Sequence, residues 1–322
     1  AAKFATPRWD ANPVTRAKAA LRMQYEAFST SPQGMLEREL RFLQKDRDPR
    51  YRTPTPAEIA AATPEGFRAV WKRALASGPI EVQLFGDFDR DSALQALGRS
   101  FGALTKRVPL PADAAPATAR FPAATSAPVV LTHRGAADQA AAIVSWPTGG
   151  GLAGVRESRQ LEILSQLFSN RLLDAMREKL GASYAPQVVS QWPVDLASGG
   201  SISAMAQLQP SAVPVFFATV RDMAADLIAR PASADELARV IEPLRQQITR
   251  AATGSAFFMY QLEGATAEPA KFDALRTLLY DFTHASPGGM QTLATRYLGP
   301  GREWELAVIP EASQTSGGQV AK

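Results

Sequence analysis

Apolar residues recur at helical spacing over residues 14–28, with alanines, leucines and methionines on one stripe, until Ser31-Pro32 interrupts the run. The same period predicts a second helix over 34–44. The polar stretch 46–52 and the prolines at 54 and 56 predict a loop, because proline removes a backbone donor and holds the preceding residue extended. Thr63-Pro64-Glu65-Gly66 reads as a cap, an N1 proline and an early acid. A helix should therefore begin there, run through Trp71 and Leu75, and stop at Ser77-Gly78-Pro79. Residues 80–85 then predict a β-strand.

Periodicity disappears over 107–126, a Pro/Ala-rich stretch with the composition of a semi-rigid spacer. Beyond it the pattern predicts strands at 128–132 and 139–146 and a flexible turn at Gly149-Gly150-Gly151, which lacks both the Lys-Ser/Thr of a phosphate loop and a G-x-G-x-x-G pattern. An amphipathic helix over 156–180 carries Leu161, Leu164, Phe168, Leu172 and Ala175 on one stripe, with Gly181 as its C′ residue. Residues 184–192 and 200–208 alternate like a β-hairpin. Helices are expected at 213–228, 234–251, 257–264, 272–282 and 289–298, and a closing strand at 304–309. The expected architecture is α+β: duplicated two-layer domains, each a mostly antiparallel sheet packed with helices. The boundaries are 1–106 for a first domain, 107–126 for a linker, 127–313 for a second domain and 314–322 for a polar tail.

A shift of 223 positions relates the two halves. It places Leu21-Arg22 on Leu244-Arg245, Gln24 on Gln247, Thr30 on Thr253, Pro64 on Pro287, Gly66 on Gly289, Arg73 on Arg296, Leu75 on Leu298 and Gly78 on Gly301. Several of these identities fall on caps and helix ends, where backbone geometry dictates the residue. A repeat of that length implies a first copy that starts in mid-domain, incomplete at its N-terminus.

Composition narrows the chemistry. Lysine and arginine number 35 against 31 aspartates and glutamates, and no run of like charge forms a stripe that could track phosphates, so nucleic acid is not an expected partner. No apolar run approaches the ~20 residues that span a bilayer, and a soluble chain without membrane partners is expected. With no cysteine, disulfides, thiolate metal sites and cysteine nucleophiles are excluded. The two histidines, His133 and His284, stand far apart and match no zinc-helix spacing, so this chain is expected to bind no metal or other cofactor itself.

Two segments carry a family resemblance. Phe85-Gly86-Asp87-Phe88-Asp89, followed by a helix and Phe101-Gly102-Ala103-Leu104, resembles the end of one domain of the pitrilysin/insulinase (inverzincin) zinc metallopeptidases. The stretch from Asn170 to Tyr184, reading NRLLDAMREKLGASY, resembles the helix-to-strand segment of their carboxyl-terminal domain. The resemblance implies the carboxyl-terminal, non-zinc half of a peptide-bond hydrolase. Zinc would then sit in the complete enzyme on a zinc-carrying half, in the same chain upstream or in a separate subunit, with peptides as substrates. It also implies a pair of donors seven positions apart, which falls on Arg177 and Tyr184, and a bacterial periplasmic location.

Arg177 is expected in the last turn of the long helix, and Tyr184 at the start of the following strand. Together they would donate to the oxygen that gains negative charge as a peptide bond is hydrolysed. The competing account of each is ordinary: a solvated arginine favoured by the helix dipole, and a packing tyrosine. Asp87 and Asp89 read as strand-end and cap residues, and Trp146 and Trp192 as either cavity lining or half-buried sheet face. A non-catalytic structural or peptide-holding subunit is the alternative function.

Overall fold

The computed structural model describes residues 1–109, 117–180 and 185–311. Before the described chain breaks at 110, the helices are α1 (Ala2–Ala5), α2 (Ala11–Phe28), α3 (Pro32–Leu43), α4 (Pro56–Ala61), α5 (Pro64–Ala76) and α6 (Arg90–Arg99). After it come β1 (Val129–His133), β2 (Ala140–Pro147), α7 (Val155–Leu180), β3 (Gln187–Gln191) and β4 (Ser201–Leu208). The chain continues with α8 (Val213–Ala229), α9 (Ala234–Ala251), α10 (Ser255–Gln261), α11 (Ala270–Thr283), α12 (Pro287–Tyr297) and β5 (Trp304–Pro310). The result is an α+β fold whose sheet is mostly antiparallel.

The 223-residue shift is visible in these bounds. It carries α2 onto α9 end to end, and the starts of α3 and α5 onto those of α10 and α12. The caps match as well. Thr63 accepts from the Gly66 amide at 3.0 Å and Ser286 from the Gly289 amide at 3.1 Å, while Gly78 and Gly301 take φ of 74° and 75°. Contacts nevertheless group the chain out of linear order, into one unit of Ala1–Tyr25, Pro54–Ala115 and Ala252–Pro269 and another of Glu26–Thr53, Pro116–Ala251 and Ala270–Lys322. The segment around α3 thus belongs to the second unit, and its counterpart around α10 to the first.

The second unit is organised by a five-stranded sheet of order β1-β5-β2-β4-β3, antiparallel except where β1 pairs with β5. Its central strand β2 is a nearly continuous apolar run, buried along both faces, as expected for a strand with helices above and below. On one face α7 and α8 cover the sheet, with the Trp146 and Phe168 rings 6.0 Å apart. On the other, Met35, Leu36 and Leu43 of α3 pack on Ala141, Ile143, Trp304, Leu306 and Val308. Within α7 the stripe Leu161, Leu164, Phe168 and Leu172 is fully buried, but Met176, not Ala175, completes it.

In the first unit α5 begins and ends where the cap and glycine signals place it. Residues 80–85, expected as a strand, form no ladder; the described contact of this region is an isolated bridge between Ser77 and Val108. Their side chains still alternate. Glu81 accepts from the amides of Gly264 and Thr266 at 2.7 and 3.2 Å and Gln83 donates to the Leu262 carbonyl at 2.6 Å, while Val82 and Leu84 are exposed. A strand needs a neighbour's backbone groups. The 223-shifted counterpart of this segment is β5, which has β1 and β2 on either side; residues 80–85 have no such neighbour among the described residues. Pro56, read as the end of a loop, instead opens α4, because Thr55 and Glu58 make a capping box that starts a helix there.

Candidate functional site

Arg177 lies in the last turn of α7, with its side chain 55% exposed and its nearest carboxylate, Asp174, 4.0 Å away. An exposed pair of that length contributes little. Tyr184 and Gly181 lie outside the described residues. Asp89 caps α6, accepting from the Ser92 amide at 2.8 Å, and that bond holds its carboxyl below the usual range.

The histidines are committed to other work. His133 is fully buried, with Nε2 2.8 Å from the Gln139 carbonyl and Nδ1 accepting from the Gly135 amide at 3.0 Å. His284 stacks on Tyr280 at 3.8 Å between ring centres. No group of three histidine, aspartate or glutamate side chains converges among the described residues, so these residues do not fit a zinc site.

A second constellation, at the end of α3, was not legible as a site in the sequence. The polar face of the sheet there consists of Ser145 on β2 and Ser203 on β4, directly opposite each other and 2.8 Å apart. Gln44 reaches down to both, its Nε2 2.9 Å from Ser145 and 3.1 Å from Ser203, and is buried. Lys45 follows it inward and donates to the Gly199 carbonyl. Next to them Tyr51 collects three cations: Arg41 at 4.9 Å, Arg50 at 5.7 Å and Lys45 at 5.8 Å from the ring centre. Arg50 is neutralised by Asp48, Nε to Oδ2 2.9 Å. The available signal was the α3 stripe Leu36, Leu40, Gln44, which continues at helical spacing onto a polar residue.

Of these side chains Arg41, Gln44, Lys45 and Tyr51 line a cavity of about 630 Å³, together with Trp192, Pro193 and Leu196. Trp192, one of the two candidate cavity tryptophans, is thus a wall residue; Trp146 is a core residue, 1% exposed, that also lines a separate pocket of about 270 Å³ with Arg221 and Leu298. Trp192 is held by its Nε1 bond to the Gly151 carbonyl at 2.9 Å and by glycines beneath its ring. A Cβ at Gly154 would lie 2.1 Å from Trp192 Cζ2, and one at Gly149 2.4 Å from Cη2. The glycine turn read as flexible is therefore a close-packing surface, and only Gly151 among those three needs positive φ, at 83°.

The site therefore sits on an α+β fold organised by one mostly antiparallel five-stranded sheet. Residues 61–244 match the family described as the peptidase M16 inactive domain, and the chain belongs to that family. Among solved structures, it is similar to a conserved protein from Enterococcus faecalis V583 (TM-score 0.75, 13% identity, covering 94% of this chain and 69% of that one). It is also similar to a peptidase M16 inactive domain from Pseudomonas fluorescens (TM-score 0.74, 16% identity, 95% and 73%). A third similar structure is the periplasmic protease PqqL from Escherichia coli (TM-score 0.68, 14% identity, 94% and 33%). At these identities the likeness is one of fold. Compared with curated protein sequences, the chain finds no match.

Proposed function

We propose that this chain is the non-zinc half of a peptide-hydrolysing assembly, closing over peptides held at a zinc-carrying half and contributing Arg177 and Tyr184 to the reacting carbonyl. The observation that carries this reading is the inactive-domain family match, which spans 61–244 and so includes the segment with both residues. The exposed, weakly paired guanidinium of Arg177 supports it. In this role the two side chains bind and orient the scissile carbonyl and donate to its oxygen as negative charge develops; losing one such donor costs roughly 10²- to 10³-fold in rate. The domain division at 107–126 and a periplasmic location belong to the same proposal; the location draws on the fold shared with a periplasmic protease.

The test is peptide hydrolysis by the assembly containing the zinc-carrying half, comparing wild type with Arg177→Ala and Tyr184→Phe while zinc content and folding are followed. A loss of at least about tenfold with zinc and fold intact supports the reading. Unchanged turnover replaces it with the scaffold reading, in which the chain holds or assembles but does not act.

A further inference from the structure

The end of α3 is built in a way that packing on the sheet does not require. Met35, Leu36 and Leu43 already fix the helix. Yet the chain then buries Lys45 to 9% exposure and reverses through two consecutive non-glycine residues in the left-handed region, Asp46 at φ 52° and Arg47 at φ 58°. Such positions are unfavourable for L-residues and persist where the surroundings impose them.

The charges are also left unmatched. Among the described residues neither Lys45 nor Arg41 has a carboxylate within ion-pair distance, although the two cations stand one turn apart and share the Tyr51 ring. Like charges at that spacing repel. Burial first, and then the charge of Arg41, push the Lys45 ammonium below its usual range, with Asp195 opposing. The Lys45 ammonium has three donors, and one of them is spent on Gly199. Both cations line the 630 Å³ cavity, whose other walls include Leu40, Tyr51, Trp192 and Leu196. Glu37 and Asp195 also line it, but as exposed side chains.

We propose that this cavity holds a carboxylate of a bound peptide between Lys45 and Arg41, with Tyr51 and Trp192 flanking the residue that carries it. A carboxylate would supply the missing partner for the buried ammonium, and the aromatic and aliphatic walls suit a peptide's apolar surface. The choice of a peptide rests on the peptide-holding reading above; the anion site itself does not. The carboxylate has two sources, the C-terminus and an acidic side chain.

Calorimetric titration of the 322-residue chain distinguishes them, using one hexapeptide with a free C-terminus, its C-terminal amide, and the amide carrying an internal glutamate or glutamine. If the C-terminus is the ligand, amidation weakens binding about tenfold or more, the loss expected for a charge-assisted contact. If the side chain is the ligand, the glutamate peptide binds at least about tenfold tighter than the glutamine one. In either case Arg41→Gln and Lys45→Met weaken binding of the peptide that carries the carboxylate. Arg41 is exposed, so its substitution tests the site even if the Lys45 variant does not fold. Binding that ignores the carboxylate, variants that bind like wild type, or a site that takes inorganic phosphate but no peptide would overturn the proposal. No turnover is measured, so failure here leaves the Arg177 and Tyr184 reading standing, and loss of that reading leaves these titrations intact.

Discussion

Removing the carboxylate of Asp281 should be among the most damaging single changes to the second unit. Asp281 on α11 and Arg159 on α7 are 3% and 7% exposed and 2.7 Å apart. The Thr277 hydroxyl donates to the same carboxylate oxygen at 2.9 Å, and the second guanidinium nitrogen donates to the Ala274 carbonyl at 2.8 Å. Gln160 adds a bond to the Asp281 carbonyl, and Arg156 approaches the other carboxylate oxygen at 3.8 Å. Asp281→Ala deletes the anion but leaves a buried guanidinium behind, which costs about 3–5 kcal/mol. For a folding unit of about two hundred residues, each kcal/mol moves the melting temperature by about 2–4 °C, so a fall of roughly 6–20 °C is expected. Arg159→Met/Asp281→Leu removes both charges, and should match wild type or exceed it by about 1–4 kcal/mol. Thermal denaturation followed by circular dichroism reads both variants. A shift under about 3 °C for Asp281→Ala, or a double variant less stable than the single one, would refute the argument that an unpaired buried charge dominates.

Glu236 offers a pH test. Its bonds from Arg171, and then from the Ser233 amide, hold its carboxyl at about 2. A depressed folded-state value gives stability that is fully present above the ordinary glutamate range near ~4.3 and lost as pH falls through about 2. Glu236→Gln should therefore destabilise at neutral pH and flatten the loss between those limits; an acid-denaturation profile identical in shape to wild type would contradict this. At the glycine turn, Gly154→Ala must displace the Trp192 ring and should cost about 1–3 kcal/mol, read by denaturant midpoint together with tryptophan emission. Gly288→Ala, which meets nothing within 4 Å, should be neutral or slightly stabilising. Equal losses at both positions would remove the packing explanation.

The parts of the fold legible in the sequence are those fixed by short-range chemistry. Thr63-Pro64 and Ser286-Pro287 start helices because a hydroxyl three residues before an amide satisfies an otherwise orphaned donor, and Gly78 and Gly301 end segments in a conformation that side chains disfavour. The stripe of α7 was readable because burial on one face imposes its own period. Arg177 could be placed at the end of α7 for the same reason, although its role could not.

The remainder required neighbours that the local pattern does not name. Residues 80–85 and β5 occupy equivalent positions 223 apart, yet among the described residues only β5 is a strand, because pairing depends on backbone groups supplied from elsewhere in the chain. Gly149 and Gly154 resemble loop glycines until Trp192, some forty residues away, is brought against them. Gln44, at the expected end of a helix, and Lys45 after it carry no mark of burial until Ser145, Ser203 and Gly199 come beneath them. By itself, then, the sequence determined where a capped helix such as α5 begins and ends, which face of α7 is apolar and which half of a peptidase the chain resembles. Tertiary structure decided which extended segment became sheet and which cations were left without a carboxylate, since both depend on groups far apart in the chain that meet only when it folds.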